Sequence, residues 1–314
     1  KNGVDECQIV KVKDLNIWRD NGKAVTGAIT ASNITSAEWN FVVGKGAQLF
    51  EKLRKMPTKL ADVTDRIYQG LITGADNVFI LTVSGKGKYF SKATDQEHKL
   101  EKEIMHPLCK GSIDIHRYQI DTPSKWILFP YEVVAKKAHL LSAKEFKKIY
   151  PLAWEYLLIN RKILKSRERG RWKHGKWYAF GRTQNLCEME QKKILTPSIA
   201  NTASFTLDRE GFYYFVGSGG GGGGGYGITL KPSTQMKYEY LLGLLNSRLI
   251  DKIIKKSSSH FQSGYYAYNR QYIEIIPIRT IDFSNPSDKA KHDRMVILVD
   301  RMLQLHHQIK MVYH

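Results

Sequence analysis

"KLADVTDRIYQGLITGADNVFILTV", residues 59–83, places two short apolar runs on either side of a polar bend. A strand-like start leads into a turn carrying Gly70 and Gly74, and a second apolar run follows from Val78 to Val83. That order predicts strand, loop, strand, because β-branched and aromatic residues bounded by glycine favour a pleated, half-buried backbone. Gln69, Thr73, Asp76 and Asn77 lie in the bend, polar side chains where the chain turns sharply.

The flanking segments extend this mixture of strands and helices. Residues 1–56 read as a short β region, "CQIVKVKDL" and "AITASNITSAEWNFVV", then a helix, "GAQLFEKLRKM", that stops at Pro57. Ser142 and Glu145 fit a capping box, and Pro151 restarts the helix at a first-turn position. Trp154, Leu157, Leu158, Arg161 and Leu164 fall at helical spacing on one mostly apolar face. A strand-rich block, "KKILTPSIANTASFTLDREGFYYFVGS", has its expected hairpin turn at Asp208 to Gly211. "STQMKYEYLLGLLNSRLIDKIIKK" reads as one amphipathic helix through Leu241, Leu245, Leu249 and Ile253. "SSSHFQSGYYAYNRQYIEIIPI" reads as a polar-aromatic loop entering a strand. Met295, Leu298, Met302, Leu305 and Ile309 form a two-heptad seam, expected to pack on a neighbouring helix. The fold class expected is α+β.

Charge narrows the partner. The 314 residues carry 49 Lys plus Arg against 30 Asp plus Glu, a net charge of +19, so something negative is the expected ligand. The excess peaks in Arg161 to Arg182, "RKILKSRERGRWKHGKWYAFGR", where nine basic residues face one acid, Glu168. Trp172, Trp177, Tyr178 and Phe180 are interleaved. Two readings compete: a solvated face whose aromatics point to the core, or a phosphate-contacting surface. Unbalanced positive charge repels itself unless a polyanion offsets it, which favours the second. With 42% hydrophobic residues the chain can bury one large core or two modest ones. No eighteen-residue apolar run, signal core or initiator Met is present, so the expectation is a non-membrane piece of a longer polypeptide. Three scattered cysteines, Cys7, Cys109 and Cys187, offer neither a zinc pair nor a disulfide frame, and the cytoplasm is the expected compartment.

Catalytic signatures are missing. "FVGSGGGGGGGYGITLK", residues 215–231, holds nine glycines in the eleven positions 217–227 but has no Walker lysine, since the first Lys is Lys231. Its many GxGxxG matches are trivial in polyglycine. Glu97 to Lys99 and Glu190 to Lys192 match the loose Glu-x-Lys pattern of metal-dependent nucleases, and two chance hits in a Lys-rich chain show how weak that pattern is. His306 and His307 are adjacent on a helix and point to different faces. No Gly-x-Ser-x-Gly elbow occurs. No catalytic residue and no metal site are expected within these residues.

Taken in order, "KLADVTDRIYQGLITGADNVFIL", "HPLCKGSIDIHRY", "WILFPY", "EFKKIYPLAWEYLLINRKILKSR", "RWKHGKWYAFGR", "KKILTPSIA", "FVGSGGGGGGGYGI", "YLLGLLNSRLIDKIIK" and "YYAYNRQYIEIIPI" resemble the TaqI-like C-terminal specificity domain. The resemblance covers roughly residues 58 to 280. That family occurs in adenine-N6 DNA methyltransferases and in the fused restriction-modification enzymes of type IIG. It implies a mixed-sheet target-recognition domain with amphipathic helices over 57–280, and a C-terminal packing helix over 281–314. Residues 1–56 become the end of, or connector to, an N-terminal methyltransferase domain. The parent is then an S-adenosylmethionine-dependent, adenine-specific methyltransferase, with or without an endonuclease; this piece itself needs no cofactor. The family's Asn/Asp-Pro-Pro-Tyr/Phe signature is absent, for the chain has no Pro-Pro pair. The last helix also resembles those following the recognition domains of type I specificity subunits. Such a subunit, or an RNA-binding or processing protein, is the alternative.

The job implied is to clamp double-stranded DNA while a base is extruded, and to read neighbouring base edges. Arg161, Arg167, Arg169, Arg171, Lys173 and Lys176 are the expected phosphate contacts. Gln69, Thr73, Ser259, His260, Gln262 and Tyr265 are the expected base readers, since Gln bonds bidentately to adenine and loops carry such readers. For each of these the alternative is plain turn chemistry. Gly219, Gly225 and Tyr226 belong to a run that allows close backbone approach to DNA or to the partner domain. A flexible linker is the competing reading.

Overall fold

The computed structural model describes residues 5–31, 34, 47–217 and 223–313. Two hydrophobic centres organise them, each built on one sheet. The six-stranded sheet runs Tyr214–Phe215, Met105–Cys109, Lys125–Leu128, Ile80–Gly85, Lys88–Ser91, Gln96–Lys99. Its first pair is parallel and the others antiparallel. The four-stranded sheet runs Thr206–Asp208, Lys193–Pro197, Gly225–Leu230, Thr64–Gln69 and is antiparallel throughout. Together with the helices, this is the expected α+β fold with a mixed sheet.

The stretch 59–83 joins the two sheets. Thr64–Gln69 is an edge strand of the smaller sheet and Ile80–Gly85 an inner strand of the larger, so strand, loop, strand holds, but across two layers. Helices Ala143–Ile149, Pro151–Ile159 and Arg161–Gly170 bury Phe146, Ala153, Tyr156, Leu157 and Leu164 on the first centre. Ser142 accepts from the Glu145 amide while Glu145 accepts from the Ser142 amide, the capping box expected. Tyr238–Leu245 and Arg248–Ser257 bury Leu241, Leu245 and Ile253 on the second. Each fully buried Leu contributes about 2 kcal/mol.

Several expectations need correction. The single helix expected over 233–256 is two, because Asn246 turns its amide to the backbone of Phe205, accepting at 3.0 Å and donating at 2.8 Å. Ser247 then caps the next helix, and Leu249 falls outside the buried stripe. Thr206–Asp208 and Tyr214–Phe215 do not form a hairpin about 208–211, since one pairs with Lys193–Pro197 and the other with Met105–Cys109. The Asp208 carboxylate is instead occupied, accepting from Lys193 at 2.6 Å and from the amides of Phe212 and Tyr213. "IEIIPI" holds only a bridge between Pro277 and Lys59, after a short helix Arg270–Ile273. In the N-terminal segment Glu6–Lys11 pairs with Val25–Thr30 around an unforeseen helix Leu15–Asn21, capped by Asp14. Most of the expected strand after Thr30 lies outside the described residues. The long helix Pro286–Tyr313 turns His292 and Val299 inward, and leaves Leu298, Met302, Leu305 and Ile309 of the expected seam exposed.

The glycines flanking the polyglycine run explain how the sheets cross. The Leu71 amide donates to the Phe215 carbonyl and the Gly217 amide to the Leu71 carbonyl, each at 2.8 Å. A Cβ on Gly217 would overlap the Gly70 carbonyl, and one on Gly227 would sit 2.5 Å from the Tyr68 ring. Close backbone approach is therefore used inside the protein. Residues 218–222, including Gly219, lie outside the described residues.

Candidate nucleic-acid interface

The basic segment is a strap held from beneath. Its helix is regular only to Ser166; Glu168, Arg169 and Gly170 then take φ of 47°, 61° and 85°. Non-glycine residues there cost about 1–2 kcal/mol each, so something must hold them. Arg167 does so. It is buried, donating from Nε to Leu164 O at 2.9 Å, from Nη1 to Thr73 O at 3.0 Å, and from Nη2 to the carbonyls of Trp177 and Ala179. Trp172 stacks on the guanidinium at 4.2 Å. Burial lowers its pKa to about 10, so it remains a cation at neutral pH. This removes Arg167 from the expected phosphate contacts.

The other five expected contacts, Arg161, Arg169, Arg171, Lys173 and Lys176, are exposed. Among the described residues none of the five pairs with a carboxylate; Glu168 is taken by Arg182 at 3.1 Å. Trp177, Tyr178 and Phe180 are core residues. The aromatics of the basic segment thus point inward and its cations without carboxylate partners outward.

Thr73 is fully buried, its hydroxyl donating to the Asp76 carboxylate at 2.5 Å and accepting from the Ala75 amide. It shapes the bend and has no access to a base edge. Gln69 is half-buried beside a cleft. With Arg66, Asn185, Tyr226, Arg270 and Glu274 it lines a polar cleft of about 450 Å³ on the exposed edge strand. Gln69 and Tyr226 are register partners, so the edge strand and the strand after the polyglycine run bring them together. Gln69 Nε2 donates to Gly217 O, and Asn185 Nδ2 donates to Gln69 O at 3.0 Å. Arg66 pairs with Glu188 and reaches Asn185. Burial pushes the Tyr226 phenol up, partly opposed by the Arg270 amide. Amide and guanidinium groups in such a cleft are the types that match base edges.

Ser259, His260 and Tyr265 belong to a small hairpin. Ala267 N donates to Ser259 O and Phe261 N to Tyr265 O, while His260 and Tyr266 form a bridge. Ser259 Oγ lies 2.6 Å from the Tyr272 hydroxyl, and the His260 ring lies 5.0 Å from that of Tyr266. The Gln262 side chain lies outside the described residues.

The chain links these parts. Arg182 N donates to Ile72 O at the end of the strap, and three residues on Asn185 enters the cleft. Arg270, across the cleft, follows the hairpin. Arg66, Asn185 and Arg270 escaped the sequence reading because each is separated from Gln69 in sequence or buried in an ordinary strand pattern. Asn185, an asparagine at φ 61°, carries the one local signal, a turn residue beside a basic segment.

The model of the TaqI-like C-terminal specificity domain matches residues 106–278, more than half of the chain. The edge strand and bend of 59–83 precede that match. A curated relative, the type II restriction enzyme and methyltransferase RM.Eco57I of Escherichia coli, is 23% identical over 309 residues. That alignment covers 93% of this chain, and the chain spans about 30% of the relative's length.

Proposed function

The chain belongs to the family of TaqI-like C-terminal specificity domains, and from that premise we propose that it reads sequence in double-stranded DNA. The observation that carries the reading is a row of exposed cations without acidic partners, Arg161, Arg169, Arg171, Lys173 and Lys176, leading into the amide-lined cleft at Gln69. Phosphate contacts from such a row fix register without carrying sequence information. Gln69, Asn185 and Arg270 then meet base edges, where each good bidentate pair is worth about 1–3 kcal/mol of discrimination.

The finer reading is a target-recognition domain of an adenine-N6 methyltransferase or type IIG enzyme, acting in the cytoplasm. The clamp keeps the duplex in place while a catalytic domain extrudes the target base. That domain, outside these residues, would bind S-adenosylmethionine; the chain has no Pro-Pro pair, and none of its residues is assigned to the cofactor.

Fluorescence anisotropy with labelled duplex DNA, duplex RNA and single-stranded DNA tests the reading. Duplex DNA is expected to bind tightest, with log K falling against log salt by about 0.9 for each phosphate neutralised. Equal affinity for duplex RNA would contradict it.

A further inference from the structure

The hairpin 259–267 holds an apolar group that the protein leaves uncovered. Phe261 is 45% exposed beside the turn Gln262–Gly264, where Ser263 and Gly264 take φ of 63° and 77°. The stem is stiff, closed by the Phe261 to Tyr265 and Ala267 to Ser259 bonds and paired through Tyr266–Ala267 to Ile199–Ala200. A phenyl ring left 45% exposed at a turn of polar residues forgoes part of the burial that would stabilise the fold.

Its surroundings select the partner. Lys252 and Lys256 are exposed on the helix leading into the hairpin, Lys255 lies 5.8 Å over the Tyr266 ring, and Arg270 follows. Asp251 pairs with Lys255 and Glu274 with Arg270, which leaves Lys252 and Lys256 as the cations there without a carboxylate partner among the described residues, Lys256 lying 5.8 Å over the Phe50 ring. An exposed phenyl ring on a stiff turn that follows a lysine-bearing helix suits a polyanion with an apolar interior, and the base stack of a duplex is one. Resting on the DNA-reading function above, we propose that Phe261 inserts as a wedge between neighbouring base pairs of the bound duplex. The stem supplies rigidity, the lysines hold the phosphates on either side, and the ring offsets the stacking that the step loses.

A wedge binds more tightly where stacking is already weakened. The 314-residue chain, Phe261→Ala and Phe261→Trp are compared on a matched duplex and on the same duplex with one mismatched pair flanked by 2-aminopurine. The unmodified chain and Phe261→Trp are expected to favour the mismatched duplex by about tenfold and to raise 2-aminopurine fluorescence. Phe261→Ala should lose both effects while keeping the salt slope set by the phosphate contacts. An unchanged mismatch preference in Phe261→Ala would overturn the wedge alone. Failure of the unmodified chain to bind any duplex would overturn the DNA-reading function, and the wedge with it.

Discussion

The Arg167 guanidinium donates to the Thr73 carbonyl at 3.0 Å, joining the basic strap to the bend of residues 70–79. The same carbonyl accepts from the Gly181 amide at 2.7 Å, so both ends of the strap are fastened to one point. A buried cation thereby fixes the exposed ones, and the strap's charge and its shape come from different arginines.

Arg167→Ala removes a donor from four carbonyls, of which Thr73 O keeps the Gly181 amide, and a loss of about 3–5 kcal/mol follows. Arg167→Lys retains the charge but lacks the planar fork, and should still cost about 2 kcal/mol. Urea unfolding measures both. A lysine variant as stable as the parent would mean that charge, not the fork, holds the strap.

Arg169→Ala and Lys173→Ala, on the exposed side, should behave oppositely. Each is expected to leave the urea midpoint unchanged and to make the salt slope of duplex binding shallower by about 0.9. Titrations at several salt concentrations read this directly.

Gly217→Ala places a Cβ against the Gly70 carbonyl, backbone that cannot swing aside. Destabilisation of about 1–3 kcal/mol is expected. Gly175→Ala, whose Cβ meets nothing within 4 Å, should be close to neutral in the same denaturation series.

His106 stacks on Tyr214 at 4.2 Å, and burial lowers its pKa from 6.5 to about 4. Between those values the unfolded chain binds the extra proton, so this contribution to stability is full above pH 6.5 and is lost as pH falls towards 4. About 3 kcal/mol is at stake across the window. His106→Phe should flatten that part of the profile of unfolding free energy against pH.

Local signals were legible where the residues that decide them are neighbours in sequence. Ser142 with Glu145, Pro151, and the two runs of 59–83 needed only short-range rules. What escaped was set by partners far along the chain. Asn246 breaks a continuous helical pattern because Phe205 takes its amide. Lys193 claims Asp208 and separates two strands that looked like a hairpin. Arg167 read as one cation among nine, since nothing in its neighbours announces four carbonyls converging on it. The face chosen by the C-terminal helix likewise depends on Tyr240 and Gly243, against which His292, Met295 and Val299 pack. Of the candidate interface, the strap was legible from charge alone, and the cleft only from the fold, which sets Gln69 at the end of a strand and not in the bend the sequence suggested.

Retention of the chain on a random-sequence duplex pool at low and high salt, followed by sequencing of the bound fraction, measures whether it reads sequence. Enrichment of one short motif, with retention falling steeply as salt rises, is the expected result. Salt-dependent retention with a flat sequence profile would contradict sequence reading by this chain.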